Sequence, residues 1–103
     1  MTEKCVAHFQ VTHPLGMHAR VCSRWIKTLI RIRPMSADVA HQWAWLGFSE
    51  RRVVADSLFQ LLETRIPCGA EFDLILEESV PFDADVEQEL REIISLEAFE
   101  LTA

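Results

Sequence analysis

The sequence predicts an α+β domain in the order β-α-β-β-α-β-α, with an antiparallel or mixed four-stranded sheet whose helices cover one face. Three observations carry this expectation. Segments that alternate apolar and polar residues trade places with segments whose apolar residues recur at three and four, four of the first kind and three of the second. Proline or glycine stands near most changes of period, as at Pro14, Gly16, Pro34, Gly47, Pro67 and Gly69. The chain's 103 residues suffice for one well-buried core and not for two, so residues 1–103 read as a single domain without linker or internal repeat.

Each element has its own justification. KCVAHFQVT sets Cys5, Ala7, Phe9 and Val11 on one side and Val6, His8, Gln10 and Thr12 on the other, the period of a strand. HPLGM permits a tight change of direction. From His18 the period changes: Ala19, Cys22, Ile26, Leu29 and Ile30 form an apolar stripe, and Arg20, Arg24, Lys27 and Arg31 a basic one. This predicts an amphipathic helix, closed by Pro34. SADVAHQWAW returns to alternation as a second strand, with Ala37, Val39, His41, Trp43 and Trp45 sharing a side; Gly47 falls in a loop before RRVVA, a short third strand. DSLFQLLETRI reads as a helix with Ser57 as N-cap and Gln60 completing a capping box, ended by Pro67 and Gly69. AEFDLILE points Phe72, Leu74 and Leu76 inward as a fourth strand. DADVEQELREIISLEAF lines up Val86, Leu90, Ile93, Ile94 and Phe99 on a final helix, whose positive N-terminal end suits Asp83, Asp85 and Glu87.

Composition narrows the function classes. The absence of low-complexity runs, with half of the residues hydrophobic, is that of a globular chain and not a disordered one. The opening MTEKCVAHFQ lacks the basic start and apolar block of a secretory signal, and nowhere do about 18 apolar residues follow one another. The expectation is a cytoplasmic protein with no membrane partner. Cys5, Cys22 and Cys68 are odd in number, widely spaced and outside any CxxC pair, which argues against a disulfide framework and a zinc site. They are expected as reduced thiols packed as small apolar groups. His8, His13 and His41 show no ligand spacing with them and read as structural or surface histidines. No metal or other cofactor is implied. The net charge of −6 is uneven: residues 1–33 hold six cationic side chains against Glu3 alone, and every other acidic residue lies beyond them. An acidic whole disfavours general nucleic-acid binding, whereas a local basic patch can steer an acidic protein partner.

That patch surrounds LGMHARV, Leu15 to Val21, where a histidine stands at the expected start of a helix. A helix N-terminus presents unpaired N–H groups and the positive end of the macrodipole, so it receives anions such as phosphate. The same field disfavours imidazolium, which leaves His18 a neutral nucleophile toward phosphorus. Arg20 offers a planar fork of charge-assisted donors to phosphoryl oxygens, and Ala19 keeps the approach open. By spacing alone, a histidine near a helix start is more often a cap or a surface residue.

VTHPLGMHARV resembles the active-site segment of HPr, the histidine phosphocarrier family of the phosphoenolpyruvate-dependent phosphotransferase system, including its nitrogen-related branch; the family pattern LG-hydrophobic-His-Ala-Arg-Pro matches through Arg20. DSLFQLLETRIPCGAEFDL resembles the family's Ser-Leu-Phe helix, turn and last strand, so the resemblance covers roughly residues 4–99. It implies a βαββαβα open-faced sandwich, a four-stranded antiparallel sheet with three helices on one face. It also implies a monomeric stoichiometric carrier, not a turnover enzyme. His18 would be phosphorylated by Enzyme I as the pros-phosphohistidine, stabilised by Arg20, and would pass the group to an EIIA-type acceptor. Ala19, Arg24, Lys27, Leu58 and Phe59 would form the partner surface, and Ser57 matches the serine that the HPr kinase/phosphorylase modifies in many members.

Some residues depart from the pattern. Val21 stands where the family usually has proline, which leaves the helix possible but bears on site rigidity. Asp56 stands where lysine is common and would oppose added phosphate on Ser57. Bland readings remain beside the functional ones: Ser57 as an N-cap, the leucines of its helix as core, Arg24 and Lys27 as a solvated face, Trp43 and Trp45 as packing residues of an extended hairpin, and Cys22 as a core thiol. A second function class is a regulatory binding module that keeps the fold and partner surface with little or no phosphotransfer. A Trp-and-Arg nucleic-acid binder is a third, opposed by the acidic total.

Overall fold

The computed structural model describes residues 2–35 and 42–98. β1 (Glu3–Gln10), α1 (Ala19–Leu29), β2 (Ala44–Phe48), β3 (Arg51–Val54), α2 (Leu58–Thr64), β4 (Glu71–Glu77) and α3 (Ala84–Ile93) follow one another in the expected order, and a 3-10 turn, Ile30–Ile32, extends α1. The sheet is antiparallel throughout in the order β1-β4-β2-β3, with the helices on one side. Arg33, the residue before Pro34, is extended (φ −60, ψ 134), so the proline stops the helical run as expected.

Alternation in the strands becomes burial. Phe72, Leu74 and Leu76 of β4 face the helices beside Phe9 of β1 and Ala44 and Leu46 of β2. α1, α2 and α3 close over them with Val21, Trp25 and Leu29, with Leu61, and with Val86, Leu90 and Ile93. Trp25 meets Phe9 and Phe72 edge-on, each pair of centroids 5.4 Å apart, while Phe9 stacks on Phe72 at 5.6 Å. Each such pair adds about 0.5–1.5 kcal/mol beyond the area it buries. Asp83 caps α3 by accepting from the Val86 N–H at 2.9 Å.

Several expectations need correction. The buried stripe of α1 is Val21, Cys22, Trp25, Thr28 and Leu29, with Ala19 and Ile30 exposed. The large Trp25 ring sets which side turns inward, and the apolar face rotates toward it. β2 begins at Ala44, and Ala37, Val39 and His41 lie outside the described residues, as does Phe99. Gly47 is inside β2 and not in a loop. The hairpin turn is Ser49–Glu50, both with positive φ (51 and 63), the conformation a two-residue turn requires, here without the usual Asn-Gly. Trp43 and Trp45 part company: Trp43 is fully buried, and Trp45 lies half-exposed under the Arg52 guanidinium, 4.9 Å from its centroid. Cys5 and Cys68 are exposed and only Cys22 is buried. At Cys5 the cause is a register shift between Cys5 and Ala7, which breaks the alternation and turns Val6 onto the core. The capping box is half realised: Ser57 Oγ accepts from the Gln60 N–H at 3.3 Å, but Gln60 Oε1 accepts from the Val54 N–H at 3.0 Å.

Trp43 explains Asp56. Its indole Nε1–H donates to Asp56 Oδ2 at 3.1 Å, tying the start of β2 to the entry of α2. Asp56→Ala orphans that donor and is expected to lower unfolding stability by about 1–2 kcal/mol; Asp56→Asn, which keeps a carbonyl acceptor, should retain most of it. Urea unfolding midpoints of the two variants check this.

Candidate functional site

His18 is the N-cap of α1, in extended conformation (φ −82, ψ −178). Its Nδ1 accepts from the Arg20 backbone N–H at 3.3 Å, and its carbonyl accepts from the Cys22 N–H at 2.9 Å. No acidic residue stands in the first turn, so nothing on the helix neutralises its positive end. Ala19 and Arg20 are exposed there, with Arg24 and Lys27 following on the same exposed side.

The turn that delivers His18 depends on Gly16. Its φ is +67, and a Cβ would come within 2.7 Å of the Ile66 carbonyl oxygen and 3.0 Å of Pro67 Cα. Met17 N–H donates to that Ile66 oxygen at 2.9 Å, joining the loop before α1 to the loop after α2. Cys22 Sγ–H donates to the Met17 carbonyl at 3.1 Å from below. Burial pushes the Cys22 thiol up to about 11, which suits a structural thiol and makes it inert at neutral pH.

Two residues at the site are not singled out by the sequence. His13, read there as a structural or surface histidine, is nearly buried and its ring lies 5.4 Å from that of His18. Its Nδ1 accepts from the Leu15 N–H at 3.2 Å, and burial first, then the electrostatic influence of the neighbouring His18 and Arg24, hold its pKa below the ordinary value. Arg65, the C-cap of α2, lines a pocket of about 300 Å³ together with Leu15, Met17, His18, Ala19 and Leu62. The Pro14 and Gly16 turn signal stands beside His13; nothing local marks Arg65.

The other candidates are spread around this point. Arg24 and Lys27 run along α1 to the cleft between α1 and α3, opposite Glu89 and Glu92. Leu58 and Phe59 are exposed on the first turn of α2, Phe59 at 75%. Phe59 borders a separate groove with Arg51 and Arg52, and it is Leu62, one turn on, that reaches the His18 pocket. Ser57 caps α2. Val21 is buried against the core beneath the site. Among the described residues no group of three His, Cys, Asp or Glu side chains could hold a metal, and no helix is long and apolar enough to cross a membrane.

Comparison with known proteins agrees with this fold. The family model of the PTS HPr component phosphorylation site matches residues 6–96. Among solved structures, HPr-C-His from Thermoanaerobacter tengcongensis superposes with a TM-score of 0.61 at 18% identity, covering 91% of each chain. Phosphocarrier protein HPr from Bacillus anthracis str. Ames gives 0.56 at 18%, covering 90% of this chain and 92% of that one. At such identity these structures speak for the fold alone. No curated protein sequence matches.

Two outcomes follow from the site's construction. Gly16→Ala forces a side chain into a left-handed residue and against a carbonyl, and should cost at least about 1–3 kcal/mol in chemical denaturation. The histidines should titrate in opposite directions from 6.5. His8, on the open face, is held between Glu71 Oε1 (3.0 Å) and Asp73 Oδ1 (2.8 Å), which raise its pKa. Its contribution is therefore full below pH 6.5 and lost as pH rises through its folded pKa; that of His13 is full above pH 6.5 and lost as pH falls toward and through its folded pKa. Imidazole NMR on acidification from pH 8 should show His8 protonating before His13.

Proposed function

The chain belongs to the HPr family of the phosphotransferase system, and from that premise we propose that its single domain, residues 1–103, is a stoichiometric phosphocarrier that takes a phosphoryl group from Enzyme I onto His18 and hands it to an EIIA-type acceptor. The observation that carries the proposal is the orientation of His18: Nδ1 faces the Arg20 N–H at an acid-free helix start. A nitrogen that accepts that hydrogen bond carries a lone pair and not a proton, so Nδ1 is the nucleophile and the product is the pros-phosphohistidine. The Nδ1–P bond forms as the bond from phosphorus to the donor's leaving atom breaks, and that atom keeps the electron pair. The phosphoryl oxygens then take over the Arg20 N–H and receive the Arg20 guanidinium. Both are exposed, which keeps the cradle weak enough for onward transfer.

The exposed side chains around His18 suit docking in the cytoplasm. Ala19 leaves the approach to the imidazole open. Arg24 and Lys27 extend the positive surface toward acidic partners, and Leu58 and Phe59 supply an apolar contact beside it. Ser57 is the candidate for regulatory phosphorylation by an HPr kinase/phosphorylase; its hydroxyl is half-buried, occupied as the α2 cap, and adjacent to Asp56.

With phosphoenolpyruvate and cognate Enzyme I, the chain should gain one acid-labile phosphoryl group by intact mass. His18→Ala should gain none while keeping its fold. Arg20→Glu should slow transfer at least about tenfold, the loss expected of one charge-assisted contact. A wild-type chain that takes no phosphoryl group, yet binds the same partners as tightly as His18→Ala, would instead be a regulatory binding module.

A further inference from the structure

Arg65 has no part in the family pattern set out above, yet the fold holds it at the site. It closes α2 in left-handed conformation (φ 55, ψ 58), a region that favours glycine over any side chain. Its position relative to His18 is fixed by the backbone. Met17 N–H donates to the Ile66 carbonyl at 2.9 Å, and His18 follows Met17 as Arg65 precedes Ile66. Gly16 permits the approach and would not tolerate a Cβ there. The two side chains consequently line one pocket whose other walls include Leu15, Met17, Ala19 and Leu62. Among the described residues, Arg65 is the only arginine or lysine in that lining, and no carboxylate lines it. Arg65 is exposed, and among the described residues it makes no ion pair, so its donors are not engaged elsewhere.

We infer that Arg65 is a second phosphoryl-binding arginine, which donates from the α2 side to the oxygens of the group carried on His18 while Arg20 serves the α1 side. The inference rests on the carrier reading. The phosphoryl group on Nδ1 is a dianion near neutral pH, and a planar guanidinium gives it paired charge-assisted hydrogen bonds. An arginine that only docked a partner would change the rate of transfer. One that binds the phosphoryl group stabilises the phosphorylated carrier itself, and so also changes the equilibrium.

The test measures that equilibrium. Wild type, Arg65→Gly and Arg65→Lys are each brought to equilibrium with cognate Enzyme I and a fixed ratio of phosphoenolpyruvate to pyruvate, and the phosphorylated fraction is read by intact mass. Glycine adopts φ 55 without strain, so Arg65→Gly should keep the fold, which its melting temperature verifies. The expected result is a ratio of phosphorylated to free carrier about five- to tenfold lower in Arg65→Gly, partly restored in Arg65→Lys. An unchanged ratio in Arg65→Gly, with label still dependent on His18, overturns the role of Arg65 and leaves the carrier reading standing, even if transfer is slower. Absence of any label on the wild type overturns both.

Discussion

The close approach of Gly16 to Ile66 is the constraint on which the site depends. A glycine at φ +67 lets the chain turn into α1, and the missing Cβ lets the Met17 N–H reach the Ile66 carbonyl. Met17 is then held from two sides, because its own carbonyl takes the Cys22 thiol hydrogen. The loop before α1 is further tied to the 69–70 turn by Val11 N–H to Ala70 O and Gly69 N–H to Val11 O, and to the end of α3 by Thr12 and His13 N–H groups on Ile94 O. A loop secured in this way behaves as part of the scaffold, so His18 has the exposure of a loop residue and the positional accuracy of a core one.

That combination fits a relay better than an enzyme pocket. Under the first turn of α1 lie Val21, Cys22 and the Trp25–Phe9–Phe72 cluster, all buried, so the helix end has little freedom to shift. Above it lie Ala19 and Arg20, both open to solvent. In the proposed carrier, rigid support below would lower the cost of orienting His18, and open solvent above would screen the phosphoryl contacts so that none becomes a trap. Valine in place of the family's proline fits the same picture: its side chain is spent on the core, and burial takes over the restraint that a fixed φ would have provided.

Most of the fold was legible because period and burial coincide. The inward residues of β4, the buried residues of α3 and the cap Ser57 stand where the alternation and capping patterns put them, and Asp83, expected only as an acidic residue at the positive end of the last helix, is its N-cap. What was not legible has three physical sources. A bulge leaves no trace in an alternating pattern, so Cys5 was misplaced. Left-handed residues without glycine carry no turn signature, which hid the Ser49–Glu50 hairpin and left Arg65 as an ordinary helix residue. Contacts between distant segments have no local period at all. Asp56 looked like a mere departure until Trp43 was found donating to it, and His13 like a stray histidine until its ring lay beside that of His18. For the site, then, His18 and Arg20 at the helix start could be picked out directly, and the loop opposite them could not.

The distribution of paired charge ties these parts together. Among the described residues, three cationic side chains away from the site are matched: Arg31 with Glu89, Arg52 with Glu3, Arg91 with Glu87. Those around His18, namely Arg20, Arg24, Lys27 and Arg65, make no ion pair, and Arg51 on β3 is the comparable case elsewhere. An acidic chain with fifteen carboxylates beyond residue 33 has ample means to neutralise four more cations. Leaving them unmatched keeps a positive field where the positive end of α1 already points, and a field of that sign is the one the proposed phosphoryl group and an acidic partner would require. No ion pair ties these four side chains to the fold, and their grouping suits the anionic group of the proposed function.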